Sequence, residues 1–479
     1  MPIRLTAAQY RIIALVVVVA ALSSGVSLKY FWRAFPEASI DLRVNRDDSA
    51  PLATKFLRDR GFRVDAYLHA AIFAYDDDAK VYLERTQGLD RMNQLTRGPI
   101  RLWRWSHRWF KPQQIEEFRV DVTPTGEVVG FEHAIPEAAA GANLDQAAAR
   151  MIAERFLREV MKRDLGDLEF AEAESNKRPA RTDHTFTWKQ KSAQLGDGSW
   201  RIQAEVDGDQ VAGYEEFLKI PEQWSRDYEK LRSRNNMAQL VDEVLWILLT
   251  VAMAIMLIRR LIDRRSLPVR LSVGFGTAMA VLHFLNEMNT FSLAKFSYRT
   301  TDPYSSFVAG YVRDGLLDAV GTGTLFFLLI AASEPAYRQG FPALISLRRC
   351  FSWQGLRSRS FFMANVVGIG LTFFFFAYQT IFYLAANKLG AWAPAETKFS
   401  NELNTRLPWV AALYIGSLAA LSEEMQFRAF AVPFLKKLTR SWPLALVLSA
   451  FNWGFLHSAY PNQPFFIRGV EVGVAGVII

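Results

Sequence analysis

Hydrophobic positions are distributed unevenly along this 479-residue chain. They crowd the stretch before residue 31 and the part after residue 238, and the intervening stretch is as charged as an ordinary soluble domain. The first run, IIALVVVVAALSSGVSLKYF from Ile12, has an apolar core of roughly 16 residues behind Arg4 and Arg11. No A-x-A-like cleavage site precedes the polar stretch, so the run reads as a retained anchor and not as a signal peptide. Later runs are centred near 240 to 258, 270 to 291, 311 to 333, 361 to 385, 408 to 432, 442 to 458 and 465 to the end. With the first, they predict about eight membrane spans. The expected fold is a polytopic α-helical membrane protein with an α+β insert, divided into an anchor (1–31), the insert (32–238), a first block of helices with basic loops (239–360) and a second block (361–479).

Within the insert, FRVDVTPTGEVVGFEHAIPE (Phe118 to Glu137) and WRIQAEVDGDQVAGYEEFLKIPE (Trp200 to Glu222) share one pattern. Each alternates polar and apolar residues, turns at Thr-Gly or Asp-Gly, alternates again and ends in Ile-Pro-Glu, which predicts a β-hairpin read twice. LDQAAARMIAERFLREV from Leu144 has helical spacing ahead of the second copy, and LATKFLRDRGF from Leu52 is the weaker counterpart ahead of the first. The expected unit is a helix followed by antiparallel strands, at about 46–137 and again at 143–222. This pattern resembles PepSY-type modules, which would make the insert a peptide- or inhibitor-binding element. His69, His107, His133 and His184 have no partner at the spacing of a metal motif and read as surface or turn histidines.

Charge gives the chain an orientation. The net charge of +8 arises largely from Lys and Arg in short loops beside apolar runs, so it speaks for membrane flanks and against nucleic acid. Arg259 to Arg265, the loop with Arg338, Arg348, Arg349, Arg357 and Arg359, and the turn with Lys436, Lys437 and Arg440 alternate with loops around Tyr298 and Ala391 that are poorer in basic residues. The basic side and the N-terminus are expected in the cytoplasm and residues 32–238 outside it, in a bacterial inner membrane with lipids as the surroundings. The single cysteine, Cys350, excludes a disulfide framework, a cysteine-based zinc site and a CxxC redox pair.

The chemistry-bearing residues lie near the C-terminal end. LPWVAALYIGSLAALSEEMQFRAFAVPFLKKL places Glu423 and Glu424 side by side in an apolar helix, with Arg428 four residues after Glu424 at salt-bridge spacing. Glu423 points about 100° away and is free for other work. The next run, WPLALVLSAFNWGFLHSAYPNQP, has one titratable residue, His457. Counting about 1.5 Å per residue from the basic turn puts Glu423 and His457 about 20 Å deep on antiparallel helices. A level carboxylate and imidazole could activate water, directly or through a metal ion held by Glu423 and His457. The chain has no His-Glu-x-x-His, no Gly-x-Ser-Gly and no Tyr-Asp with Gly-x-Gly-Asp, so zincin-like, rhomboid-like and presenilin-like sites are absent.

At these residues the chain resembles the CPBP (CAAX protease and bacteriocin-processing) family, also called Abi or type II CAAX prenyl endopeptidases. Glu423, Glu424 and Arg428 match its Glu-Glu-x-x-x-Arg motif, and His457 matches Phe-x-x-x-His with Trp453 in the Phe position. Ala429 stands where the family has Gly. The resemblance covers roughly 360–479 and implies an intramembrane endopeptidase acting on a membrane-associated protein or peptide. It implies Glu423 as general base, His457 as its partner and Glu424 with Arg428 as the brace of the helix. Zinc and metal-free glutamate mechanisms both remain open. The family's third motif, a His followed by Asn or Asp, is not found, and the final run GVEVGVAGVII is expected to begin the span that would carry it. His283, Asn286 and Glu287 have the wrong spacing for that motif and read as a helix-packing cluster. The alternative function is a non-catalytic sensor or scaffold whose outer module binds peptides. A transporter would need inverted repeats of broken helices, and none is apparent.

Overall fold

The computed structural model describes residues 5–35, 40–393 and 400–478, so Arg4 lies outside the described residues. Helix α1 (Ala7–Ala34) opens on a capping box between Thr6 and Gln9. The polar stretch that follows builds one eight-stranded antiparallel sheet, ordered β1-β2-β3-β4-β8-β7-β6-β5. Helix α2 (Arg46–Asp59) starts where the Asn45 side chain accepts the backbone N–H groups of Asp47 and Asp48. Strand β1 (Leu68–Tyr75) follows, then α3 (Asp77–Gln87), α4 (Leu89–Thr96), β2 (Trp103–Phe110), β3 (Glu117–Val122) and β4 (Val128–Ala134). Helix α5 (Gln146–Glu159) precedes β5 (Leu168–Lys177), β6 (Thr182–Gln190), β7 (Ser199–Asp207) and β8 (Gln210–Lys219).

Each half is thus a helix ahead of four meandering strands, with α3 and α4 as an addition to the first. The hairpins legible in the sequence are β3–β4 and β7–β8, and their second strands join the halves with Phe131 opposite Tyr214. In both hairpins an acid lies over a glycine of the next strand. A Cβ at Gly130 would stand 2.7 Å from the Asp121 carboxylate, and one at Gly213 would stand 3.0 Å from the Glu205 Cβ. Helices α2 and α5 cover one face, burying Ala53, Leu57, Ala153 and Leu157 against Val120, Phe131, Ile202 and Tyr214.

The four histidines of this region do not lie on its surface or in turns. They sit in β1, β2, β4 and β6, and His107 is 0% exposed. Sheet register creates the partners that spacing could not reveal. His69 pairs with Trp109, which puts it diagonally across from His107, with Nε2 of His69 3.0 Å from Nδ1 of His107. Ser49 of α2 reaches Nε2 of His107 at 2.9 Å. His133 bonds Glu116 at 3.0 Å, and His184 lies between Ser175 and the Leu144 carbonyl.

Among the described residues five helices are long and apolar enough to cross a membrane: α1, α6 (Glu222–Ile262), α7 (Val269–Ala294, extended by a short turn to Ser297), α8 (Tyr304–Gly340) and, after the short turns α9 (Leu347–Cys350) and α10 (Trp353–Leu356), α11 (Arg359–Lys388). The protein is therefore a membrane protein with a sheet-rich region ahead of most of its apolar helices. Helix α6 has 41 residues, about 60 Å, so the expected boundary at 238 falls inside one continuous helix that leaves the sheet and enters the apolar layer. The last three apolar runs form shorter pieces. After α12 (Ser400–Leu403) come α13 (Pro408–Glu423), a π-helical segment (Glu424–Ala431), α14 (Val432–Thr439), α15 (Trp442–Phe455) and α16 (Ile467–Ile478).

The sheet region rests on loops at one end of this helical block. Arg108, paired with Glu117, donates to the carbonyls of Phe296 (2.7 Å) and Tyr298 (2.8 Å), and Asn401 exchanges bonds with the backbone of Phe73. Two of the basic connections meet elsewhere, where Lys437 bonds Gln339 and Phe341 packs on Trp442.

Burial holds both paired imidazoles well below the ordinary histidine range. His69 is lowered to about 4, with Lys295 and Arg46 adding to the effect, and His107 to about 3, with His69 and Arg46 adding. The unfolded chain therefore binds protons that the folded one refuses. The stability these groups contribute is complete above about pH 6.5 and is lost as pH falls from there toward about 4, at roughly 1.4 kcal/mol per pH unit for each histidine. Thermal unfolding of the detergent-solubilised protein between pH 7.5 and 4.5 should show this fall, and a His69→Phe/His107→Gln variant should show a flatter one.

Candidate active site

The site is assembled from the end of α13, the π-helical segment and α15. Apolar residues and Pro408 at its first turn make α13 a regular helix up to Glu423. From Glu424 the backbone widens to the π form, in which each carbonyl accepts from an N–H one residue further along than in an α-helix. The apolar helix expected here is thus continuous but changes its winding at Glu424, where neighbouring helices bond to it. Ser449 of α15 donates to the Phe427 carbonyl at 2.5 Å, while Gln426 accepts from Trp246 (3.0 Å) and donates to Thr250 (2.9 Å), both on α6. These bonds tie the widened turn from two sides.

Glu424 and Arg428 form the expected salt bridge at 3.2 Å, with the Glu424 side chain 48% exposed. They line the wall of an apolar cavity of about 570 Å³ that also includes Tyr337, Phe341 and Trp442. Glu423 turns the other way, and its Oε2 accepts the indole N–H of Trp453 at 2.9 Å. The Arg428 guanidinium stands 4.7 Å above the same indole ring. His457 lies two residues beyond the end of α15, with Nδ1 2.9 Å from the Trp453 carbonyl and its ring edge-on to the indole at 5.7 Å. A carbonyl can only accept, so Nδ1 carries the hydrogen and Nε2 presents a lone pair.

Glu423 and His457, expected to act on one water from equal depth, share a support in Trp453. No hydrogen bond joins the two among the described residues, and Trp453 contacts each of them. The indole N–H satisfies a Glu423 carboxylate oxygen that would otherwise lack a donor. The Trp in the Phe position is thus the residue on which Glu423, Arg428 and His457 converge.

Two other features escaped the sequence reading. Glu471 of α16 is fully buried and is bound by Arg468 (2.5 Å) and Gln379 (3.1 Å), with Tyr383 at 3.4 Å. A lone acid in the run GVEVGVAGVII, three residues after an arginine, was the available signal. Asn235, fully buried on α6, holds the loop after His457 and lies before the apolar part of its helix, where nothing in the pattern marked it. His283 is placed between α7, α8 and α13, with Nδ1 2.7 Å from the Tyr414 hydroxyl and 3.0 Å from that of Thr322. Tyr414 is nine residues before Glu423, about 14 Å along the helix, so this cluster is separate from the site.

A zinc ion would require about three protein ligands. Among the described residues no three His, Cys, Asp or Glu side chains come together to hold a metal, and Glu423 already accepts from an indole. These residues do not fit a zinc site as they stand.

Residues 405–479 match the family model described as Type II CAAX prenyl endopeptidase Rce1-like. No curated protein and no solved structure matches the chain. The Rce1-like segment contains Glu423, Glu424, Arg428, Trp453, His457, Arg468 and Glu471, whereas the sheet-rich region and all five long helices lie outside it.

Removing one member of a buried ion pair strands the other charge, at a cost of about 3–5 kcal/mol, whereas removing both is far milder. Glu471→Leu should therefore lower the melting temperature of the purified protein more than Arg468→Met/Glu471→Leu does. Equal losses would mean that the pair is not coupled.

Proposed function

We propose that the protein is an intramembrane endopeptidase of the CAAX-protease type, hydrolysing a peptide bond of a membrane-associated protein or peptide. The observation that carries this reading is the attachment of Glu423 and His457 to one residue, Trp453, through its indole N–H and its backbone carbonyl, inside the segment that matches the Rce1-like family. Trp453 holds Oε2 of Glu423, which leaves Oε1 as the base that takes a proton from water. The water oxygen attacks the peptide carbonyl as that proton moves to Glu423, and the proton then passes to the departing amine nitrogen as the C–N bond breaks. Nε2 of His457, left with its lone pair by the bond at Nδ1, orients the water through its second hydrogen. Glu424 and Arg428 keep the widened turn against Trp453 and are not placed in the proton path.

The same reading puts the basic connections in the cytoplasm and the sheet-rich region outside it, in a bacterial inner membrane crossed by the last three apolar pieces as well as by the five long helices. It is supported by the separation of the loops that carry the sheet from those in which Lys437 meets Gln339. The two helix-and-meander halves support the likeness of the sheet region to PepSY-type, peptide-binding modules.

Cleavage of a membrane-tethered reporter peptide by the purified protein tests the assignment. Glu423→Gln and His457→Ala should each reduce the rate by about a hundredfold or more without changing the melting temperature by much. Trp453→Phe, which keeps a ring beneath Arg428 but loses the N–H, should cost about tenfold. If Glu423→Gln is silent and only Glu424→Ala or Arg428→Ala alters abundance, the site is structural and the protein is a scaffold.

A further inference from the structure

His457 is carried by irregular backbone, and of the residues that follow it Ser458, Asn462 and Gln463 are enclosed while those between are half-buried. Backbone outside a helix must find hydrogen-bond partners elsewhere, and enclosure rules out bulk water as the supplier. Helix α6 supplies them. Asn235 Nδ2 donates to the carbonyls of Ser458 (2.9 Å), Tyr460 (3.0 Å) and Asn462 (3.0 Å), and its Oδ1 accepts from the Gln463 side chain at 2.5 Å. Arg232 donates to the Ala459 carbonyl at 2.7 Å, and the Ala459 N–H donates to the Gln239 side chain at 3.1 Å.

Residues 232, 235 and 239 recur at three and four and so share one face of α6. The same face continues with Asp242, which accepts from Asn452 of α15 at 2.8 Å, and with Trp246, which holds Gln426 in the π-helical segment. The loop is gripped on its other side as well, where Trp392 and Gln463 exchange two backbone bonds of 2.9 Å and Asn462 donates to Tyr383 at 2.6 Å.

Both grips lead back to the sheet region. Two residues separate β8 from helix α6, and Trp224 in its first turn packs edge-on against Tyr82 of α3 at 5.0 Å. Tyr228, one turn on, faces Trp392 at 6.2 Å, and Arg85 of α3 stands 5.6 Å above the Trp392 ring.

We infer that Asn235 is a positioning residue for His457 and that, through α6 and Trp392, the sheet region sets the geometry of the site. This rests on the endopeptidase reading for its consequence in rate. Its geometric content stands apart from that reading. The two hydrogens of one amide are shared among three carbonyls of the loop, so its loss releases the segment that aims Nε2 of His457.

The test is Asn235→Asp in the full-length protein in detergent or nanodiscs. The variant keeps the size of the side chain and an acceptor for Gln463 but has no donor for the three carbonyls. The expected result is a fall in kcat of about tenfold to a hundredfold on a membrane-tethered peptide with KM within about twofold, and a displaced pH dependence of kcat. Hydrogen exchange of the amides of residues 456–463 should accelerate by about tenfold. Gln239→Leu, which removes one acceptor from the loop and a donor to Glu243 on its own helix, should move the same readouts in the same direction by less, and serves if Asn235→Asp does not fold. Asn365→Asp on α11, whose amide donates to the Phe361 carbonyl of its own helix, should change none of them. Unaltered exchange and an unaltered pH profile in both test variants overturn the inference. Accelerated exchange in a protein that never cleaves the peptide leaves the positioning in place and overturns the endopeptidase reading.

Discussion

Where backbone leaves a helix beside an apolar layer, each freed carbonyl and N–H has to be given a partner, or it costs about as much as a lost buried hydrogen bond. The segment from His457 to Gln463 is such a place, and its partners come from Arg232, Asn235 and Gln239 on α6 and from Trp392. The position of His457 follows from that set of bonds, because α15 has already ended at Phe455. A histidine within a regular helix would be aimed by the helix alone. Here the aim depends on a rod that begins in the sheet region and continues for 41 residues.

The second support is Trp453, which gives its indole N–H to Glu423, its carbonyl to His457 and its ring face to Arg428. Three different parts of one residue thus hold the two groups proposed to do chemistry and the cation of the brace. The π-helical segment fits this arrangement, since its widened turn is pinned by Ser449 through the Phe427 carbonyl and by α6 through Gln426. Such widened turns are found often at functional sites, where they re-aim side chains at the expense of regular hydrogen bonding.

The sheet region is joined to the helical block by polar contacts with specific geometry. Arg108 spans from Glu117 within the sheet to two carbonyls of the loop after α7, and Asn401 pairs with the backbone of Phe73. Aromatic contacts from Tyr82 through Trp224 and Tyr228 to Trp392 add a second route to the loop after His457. A region held in this way can pass a change in its own packing to the site.

Much of this was written in the order of the residues. Apolar runs long enough to cross a membrane, the two hairpins and the helices ahead of them, and the Glu424–Arg428 pair at one-turn spacing depend on local periodicity, and the structure has the long helices, both hairpins and that ion pair. What sequence could not supply was contact between distant segments. The His69–His107 pair exists only because β1 and β2 adopt one register, so residues that looked solitary are buried partners. Glu423 meets Trp453 across 30 positions and Asn235 meets Ser458 across 223, and no period reports such pairs. Local order settles which elements form, because it depends on neighbours a few residues away. Which side chains meet, and so which atoms are free to react, is decided by packing and by the need of every buried polar group for a partner.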